Sequence, residues 1–196
     1  HIQLNGGKIA ELFRSEAMKI KSTDPFKGNI DPEKLEKFIL ESGPENIPFI
    51  RMEASTNLIG GQPFSLKNMK VIRKIADKYG LMLVLDASLI GENAYFIVKR
   101  EEEYKGQTIH SVLLSMCDLA DIVYFSARKV TSSRGGAICT NSTELLNKMK
   151  HLVPPVSYTH LRAHETPEHL VCRLLLEKKN IQQHIEHCAN VSIHHP

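Results

Sequence analysis

The run Leu81–Leu85 (LMLVL) is apolar at every position and is closed by Asp86-Ala87-Ser88. A strand with one wet face alternates apolar and polar residues, so a short unbroken run reads as a strand buried on both sides. Such strands belong to parallel sheets covered on both faces by their connecting helices. The chain supplies helices of that kind. Asp31 before Pro32 is a helix start, because the carboxylate accepts orphan amides and proline has none to satisfy. The segment PEKLEKFILES then leads to Gly43, which suits a C-cap. Ser65 caps LKNMKVIRKIADKY, whose Leu66, Met69, Ile72, Ile75, Ala76 and Tyr79 share one face. The spacing of Ile9, Leu12, Phe13, Ala17 and Ile20 predicts a further helix over 8–21. Strands are expected at Ile47–Ser55, Leu81–Ser88, DIVYFSA and GGAICTN, and helices after Ser88, around Ile109–Cys117 and from STELLNKMK. The expected fold class is α/β, a mainly parallel sheet with flanking helices.

Composition narrows the function classes. A net charge of +3 is too mild to point to a nucleic-acid or membrane partner. No apolar run approaches the roughly 20 residues that span a bilayer, and the start, His1-Ile2-Gln3-Leu4, is not a signal peptide. Cys117, Cys139, Cys172 and Cys188 lack CxxC spacing, which suits thiols in a reducing cytoplasm.

The chain changes character near Pro154-Pro155. Eight of the ten histidines lie at or beyond His151. Residues from about 155 to 196, and SYTHLRAHET most of all, resemble the translation of a short-read sequencing adaptor. The expected organisation is therefore one partial domain over 1–153 and a non-native tail over 154–196. The rival for the tail is a metal-binding extension using His184, His187 and Cys188. Two or three ligands without a second cluster do not close a structural site, so no metal is expected there. Tail charges cancel, and the excess of positive charge belongs to the body.

In open parallel sheets, ligands sit outside the carboxyl ends of the strands. The polar residues expected there are Asn57, Asp86, Ser126, Arg128 and Lys129. A carboxylate can keep a pyridine nitrogen protonated, a lysine can form an imine, and serine with arginine can hold a phosphate. These are the requirements of pyridoxal 5'-phosphate. Each residue also has a plainer reading: Asp86 as a helix cap, Asn57 as a turn residue, and Ser126 and Arg128 as loop residues. Glu92 and Asn93 read as support for helix packing rather than chemistry.

The motifs FKGNID, GPENIPFI, TNLIGGQPFS, DASLIGENAYFI and SARK followed by Gly135-Gly136 occur in an order that resembles the β-eliminating lyases. The resemblance spans roughly 1–150. It implies a fragment of the large domain of a fold-type-I, aminotransferase-like enzyme that uses pyridoxal phosphate and forms cytoplasmic homotetramers. It implies carbon–carbon cleavage of an aromatic amino acid. Tryptophan would give indole, pyruvate and ammonium, and tyrosine, giving phenol, is the alternative. A threonine-aldolase-like reaction is a further one, and a truncated, inactive reading frame another. Carried over by position, Lys129 matches the lysine that binds the cofactor covalently, and Asp86 the partner of its ring nitrogen. Asn57 matches the neighbour of the phenolic oxygen, and Ser126 a phosphate contact. Arg128 stands where the family has lysine. The family's arginine three residues after the aspartate is Leu89 here. The asparagine expected to help bind a monovalent cation, K+, is replaced by Arg134, whose charge would repel it.

Overall fold

The computed structural model describes residues 3, 6–130, 135–152 and 175–177. Strands β1 (Ile50–Glu53), β2 (Leu83–Asp86), β3 (Ile122–Ser126), β4 (Gly136–Thr140) and β5 (Leu175–Glu177) form one sheet in that order. The pairs β1–β2, β2–β3 and β4–β5 are parallel, and β3–β4 is antiparallel. The helices are α1 (Pro32–Ser42), α2 (Leu66–Tyr79), α3 (Ile90–Arg100), α4 (Ile109–Asp118), α5 (Ala127–Val130) and α6 (Thr143–Leu152). The chain is thus α/β with a mainly parallel sheet.

Met52, Leu85, Val123 and Cys139 stand in register across β1 to β4, and none is more than 2% exposed. Side chains paired across strands share a face, so this face is the core, packed under α1 to α4. The connections β1–α2–β2 and β2–α3–α4–β3 step across the sheet in the same direction. Right-handed crossovers therefore lay them on one side. On the opposite face, Val84 and Asp86 of β2 are buried, while Arg51, Glu53, Tyr124 and Ile138 to either side are exposed or half-buried.

The caps follow the sequence closely. The Asp31 carboxylate accepts the amides of Glu33 and Lys34, and Ser65 Oγ accepts that of Asn68. Gly43 ends α1 at φ 78, a region open to glycine. The predicted helix over 8–21 is the exception. Its middle is extended, with Phe13 bridged antiparallel to Ile30, and only a 3-10 turn, Ser15–Met18, is helical. Ile9, Met18 and Ile20 are exposed. Of the spaced residues, Ala17 is buried and Leu12 packs against the core while Ile9 and Ile20 stay exposed, and the backbone partners offered by Asn29 and Asp31 favour the bridge.

Three buried asparagines tie the loops together. Asn29 Oδ1 accepts the Ser65 amide at 2.8 Å, and Asn68 exchanges two hydrogen bonds with the Ile30 backbone. Asn93, fully buried on α3, accepts the amides of Ser55 and Phe64 and donates to the Phe64 carbonyl. Gly28 lies directly on the Gln62–Pro63 backbone, where an added Cβ would come within 2.5 Å of the Gln62 oxygen. The FKGNI and GGQPFS motifs are therefore one interlocked unit.

Candidate active site at the carboxyl edge of the sheet

Glu53, Asp86 and Tyr124 stand in register at the carboxyl ends of β1, β2 and the adjoining part of β3. Parallel pairing continues one residue further, because Ala54 N–H donates to the Asp86 carbonyl and Ala87 N–H to that of Tyr124. Asp86 is buried, and its carboxylate is surrounded by donors. Oδ1 accepts the Ser88 amide at 3.1 Å. Oδ2 accepts Arg51 Nη2 at 2.7 Å and the Tyr124 hydroxyl at 2.9 Å. Arg51 Nε in turn donates to the Tyr124 oxygen at 2.8 Å, and Nη2 reaches Glu53 at 3.2 Å.

Burial alone would raise the Asp86 pKa. The hydrogen bonds from Ser88, Arg51 and Tyr124 outweigh it and hold the group below its ordinary value. The same packing pushes the Tyr124 phenol up to about 12, through burial first and then its bond to Asp86. The Arg51 guanidinium stays above its usual value although burial opposes it, because Asp86 accepts from it. Asp86 is thus a fixed, ionised carboxylate at neutral pH. Arg51 was not among the residues picked from the sequence, yet a signal was present. In Ile50-Arg51-Met52-Glu53 the polar residues alternate with the apolar ones, which sets Arg51 and Glu53 on one face.

Lys129 is exposed on α5, directly after β3. It lines an open cleft of about 490 Å³ with Ser88, Ile90, Gly91, Glu92, Tyr95, Phe96 and Ile109. Ser88 joins this cleft to the carboxylate: its amide bonds Asp86, and its Oγ accepts the Ser126 amide at 3.4 Å. The structure therefore brings Lys129, Ser126 and Asp86 together around Ser88. Lys129 stands on one short helical turn. Arg128 is exposed beside it. Asn57 is exposed in the turn after β1, its amide donating to Glu53, and no hydrogen bond among the described residues ties its side chain to Asp86 or Lys129. Leu89 is the N-cap of α3 and provides no capping bond. Arg134, and with it the question of a monovalent cation, lies outside the described residues, as do His184, His187 and Cys188.

One buried polar atom at this edge has no partner. Ser55, between β1 and Asn57, is in the left-handed region at φ 52 and is 2% exposed. Its Oγ makes no hydrogen bond. The edge thus offers an ionised carboxylate, an amine on a cleft, a hydroxyl without a partner and an exposed amide. This donor set suits a heteroaromatic aldehyde phosphate of the pyridoxal kind: a carboxylate for a protonated ring nitrogen, and an amine for the aldehyde.

The chain is thus an α/β domain with an ionised aspartate and a lysine at neighbouring strand ends. A solved structure, a thermostable (S)-enantioselective omega-transaminase from Thermomicrobium roseum, aligns with 61% of this chain and 24% of its own at 22% identity, with a TM-score of 0.41. Tyrosine phenol-lyase of Fusobacterium nucleatum is 40% identical over 154 residues, 78% of this chain and 34% of its own length. Tryptophanase of Escherichia coli is 41% identical over 140 residues, 71% of this chain and 30% of its own. The chain spans about a third of the length of the curated relatives it matches. The model of the beta-eliminating lyase family matches residues 1–187. The chain belongs to the beta-eliminating lyases.

Proposed function

We propose that the protein carrying this chain is a pyridoxal-phosphate-dependent lyase that cleaves the side chain from an aromatic amino acid. Tryptophan is the first candidate substrate and tyrosine the second, since relatives of both kinds match at similar identity. The observation that carries the reading is the ionised Asp86 joined through Ser88 to the Lys129 cleft.

When bound, the cofactor supplies an electron sink for the charge left when the α-proton is removed. The chain's residues have separate tasks. Asp86, kept ionised, balances a protonated ring nitrogen. The Lys129 amine, standing on the cleft, would hold the cofactor's aldehyde carbon and would be the base for the α-proton. Ser126, at the end of β3, and Arg128, on α5, are assigned to the cofactor's phosphate group. Asn57 is assigned to the cofactor's phenolic oxygen by position in the family's order. The reading further assigns residues 1–153 to a partial cofactor-binding domain and 154–196 to a non-native tail. It assigns the whole protein to a cytoplasmic homotetramer. Leu89, in place of a cation near the cofactor, favours a second reading, a related lyase of the threonine-aldolase kind.

The first test is the visible absorbance of lysine-linked pyridoxal phosphate in the chain and in its Lys129→Ala variant. The band should be absent from the variant, and equal bands in both would exclude Lys129 as the anchor. Indole or phenol release by the whole protein then separates the two substrates.

A further inference from the structure

An ionised carboxylate offers about four lone-pair positions, two on each oxygen. The Ser88 amide bonds Oδ1, while Arg51 and Tyr124 both bond Oδ2 and fill it. A protonated ring nitrogen approaching Oδ2 needs one of these positions. The Ser88 amide is backbone in a buried turn and cannot leave. The Tyr124 ring is rooted on the neighbouring strand and also accepts from Arg51 Nε. Arg51 differs from both. Its side chain is 38% exposed against 10% for Asp86, it lies on the sheet face opposite the core under α1 to α4, and Glu53 already receives Nη2 at 3.2 Å. Glu53, Asp86 and Arg51 together carry one excess negative charge, which one pyridinium-like cation would neutralise.

We propose that Arg51 is a displaceable counter-ion of Asp86, which occupies the acceptor position of the ring nitrogen and moves onto Glu53 when a cationic heteroaromatic ring arrives. The proposal rests on the cofactor reading above and adds to it a built-in competitor for the ring. Arg51 is a positioning residue, acting through Asp86, and Glu53 is its second berth. If Arg51 stayed on Asp86, the carboxylate would be a poorer partner for a ring proton, because a guanidinium at 2.7 Å already satisfies most of its charge.

The test is a binding titration of the full chain, read by absorbance and not by turnover. Two probes are used: pyridoxal 5'-phosphate, and its analogue with CH in place of the ring nitrogen. Arg51→Met should tighten pyridoxal phosphate about tenfold, the worth of one competing charged hydrogen bond. It should change binding of the analogue less than about twofold, since that ring has no proton to give. Glu53→Gln should weaken pyridoxal phosphate binding in the original chain but not in the Arg51→Met background, where no cation needs the berth. A merely structural role for Arg51 would change both probes alike. Weaker or unchanged pyridoxal phosphate binding in Arg51→Met, or equal tightening of both probes, overturns the proposal. Loss of the Lys129-dependent band from the unsubstituted chain is a different result, which removes the cofactor reading and the proposal with it.

Discussion

Replacing Asn93 with alanine should be among the most damaging single changes in the described residues, although Asn93 touches no ligand in the proposed reaction. Its side chain makes three hydrogen bonds at full burial: from Ser55 N at 3.0 Å, from Phe64 N at 3.1 Å, and to Phe64 O at 2.9 Å. Ser55 and Phe64 are themselves 2% and 1% exposed, so solvent does not readily replace the lost partner. At about 1–1.5 kcal/mol for each bond, the loss sums to about 3–4.5 kcal/mol. A partial refund comes from Ser55, which is held at φ 52 and can relax once its amide is released, regaining about 1 kcal/mol. The net expectation is about 2–3.5 kcal/mol, read as a lower urea midpoint at constant m. Asn93→Asp supplies the control. Ionised, it keeps an acceptor for the Ser55 and Phe64 amides but loses the donor to the Phe64 carbonyl. It should therefore recover part of what the alanine variant loses without reaching the original stability. A loss below about 1 kcal/mol for the alanine variant, with m unchanged, would refute the claim that this side chain holds the two loops together.

Two further outcomes follow from packing and charge. Gly28→Ala places a Cβ within 2.5 Å of the Gln62 oxygen and 2.8 Å of the Pro63 backbone; a cost of about 1–3 kcal/mol is expected, and unchanged thermal stability would contradict the interlock of the two motifs. Asp86 has its folded pKa below the unfolded value of 3.8, so its stabilisation is present above that value and is lost as pH falls through the folded pKa. Asp86→Asn should flatten the stability–pH profile below about pH 4, and an unaltered acid limb would mean that the donors around Asp86 contribute nothing net.

What the sequence made legible was local or strongly patterned. Asp31-Pro32 and Ser65 identify helix starts because a cap is a property of a few adjacent residues. The LMLVL run locates β2 and therefore Asp86, since a strand's end is where its apolar run stops. The segment 8–21 misled because helical spacing shows only that a face exists, and among the described residues nothing covers Ile9 or Ile20. The importance of Arg51 depends on the register that sets Glu53 beside Asp86 and Asp86 beside Tyr124. Register between distant segments is not written in either segment alone.

The antiparallel pairing of β3 with β4 has a consequence for Lys129. Asp86 and Asn57 lead into crossovers whose far ends lie elsewhere in the sheet. Ser126 and Ala127, which lead to Lys129, instead face strand β4 directly, with Ser126 opposite Gly136 and Ala127 N–H bonded to the Gly135 carbonyl at 3.0 Å. Lys129 thus stands just beyond the closed end of an antiparallel pair. Gly136 keeps that end closed, because a Cβ there would meet the Phe125 oxygen at 2.3 Å. A side chain at that position would force β4 away from β3 and shift the amine without altering any residue that touches a ligand.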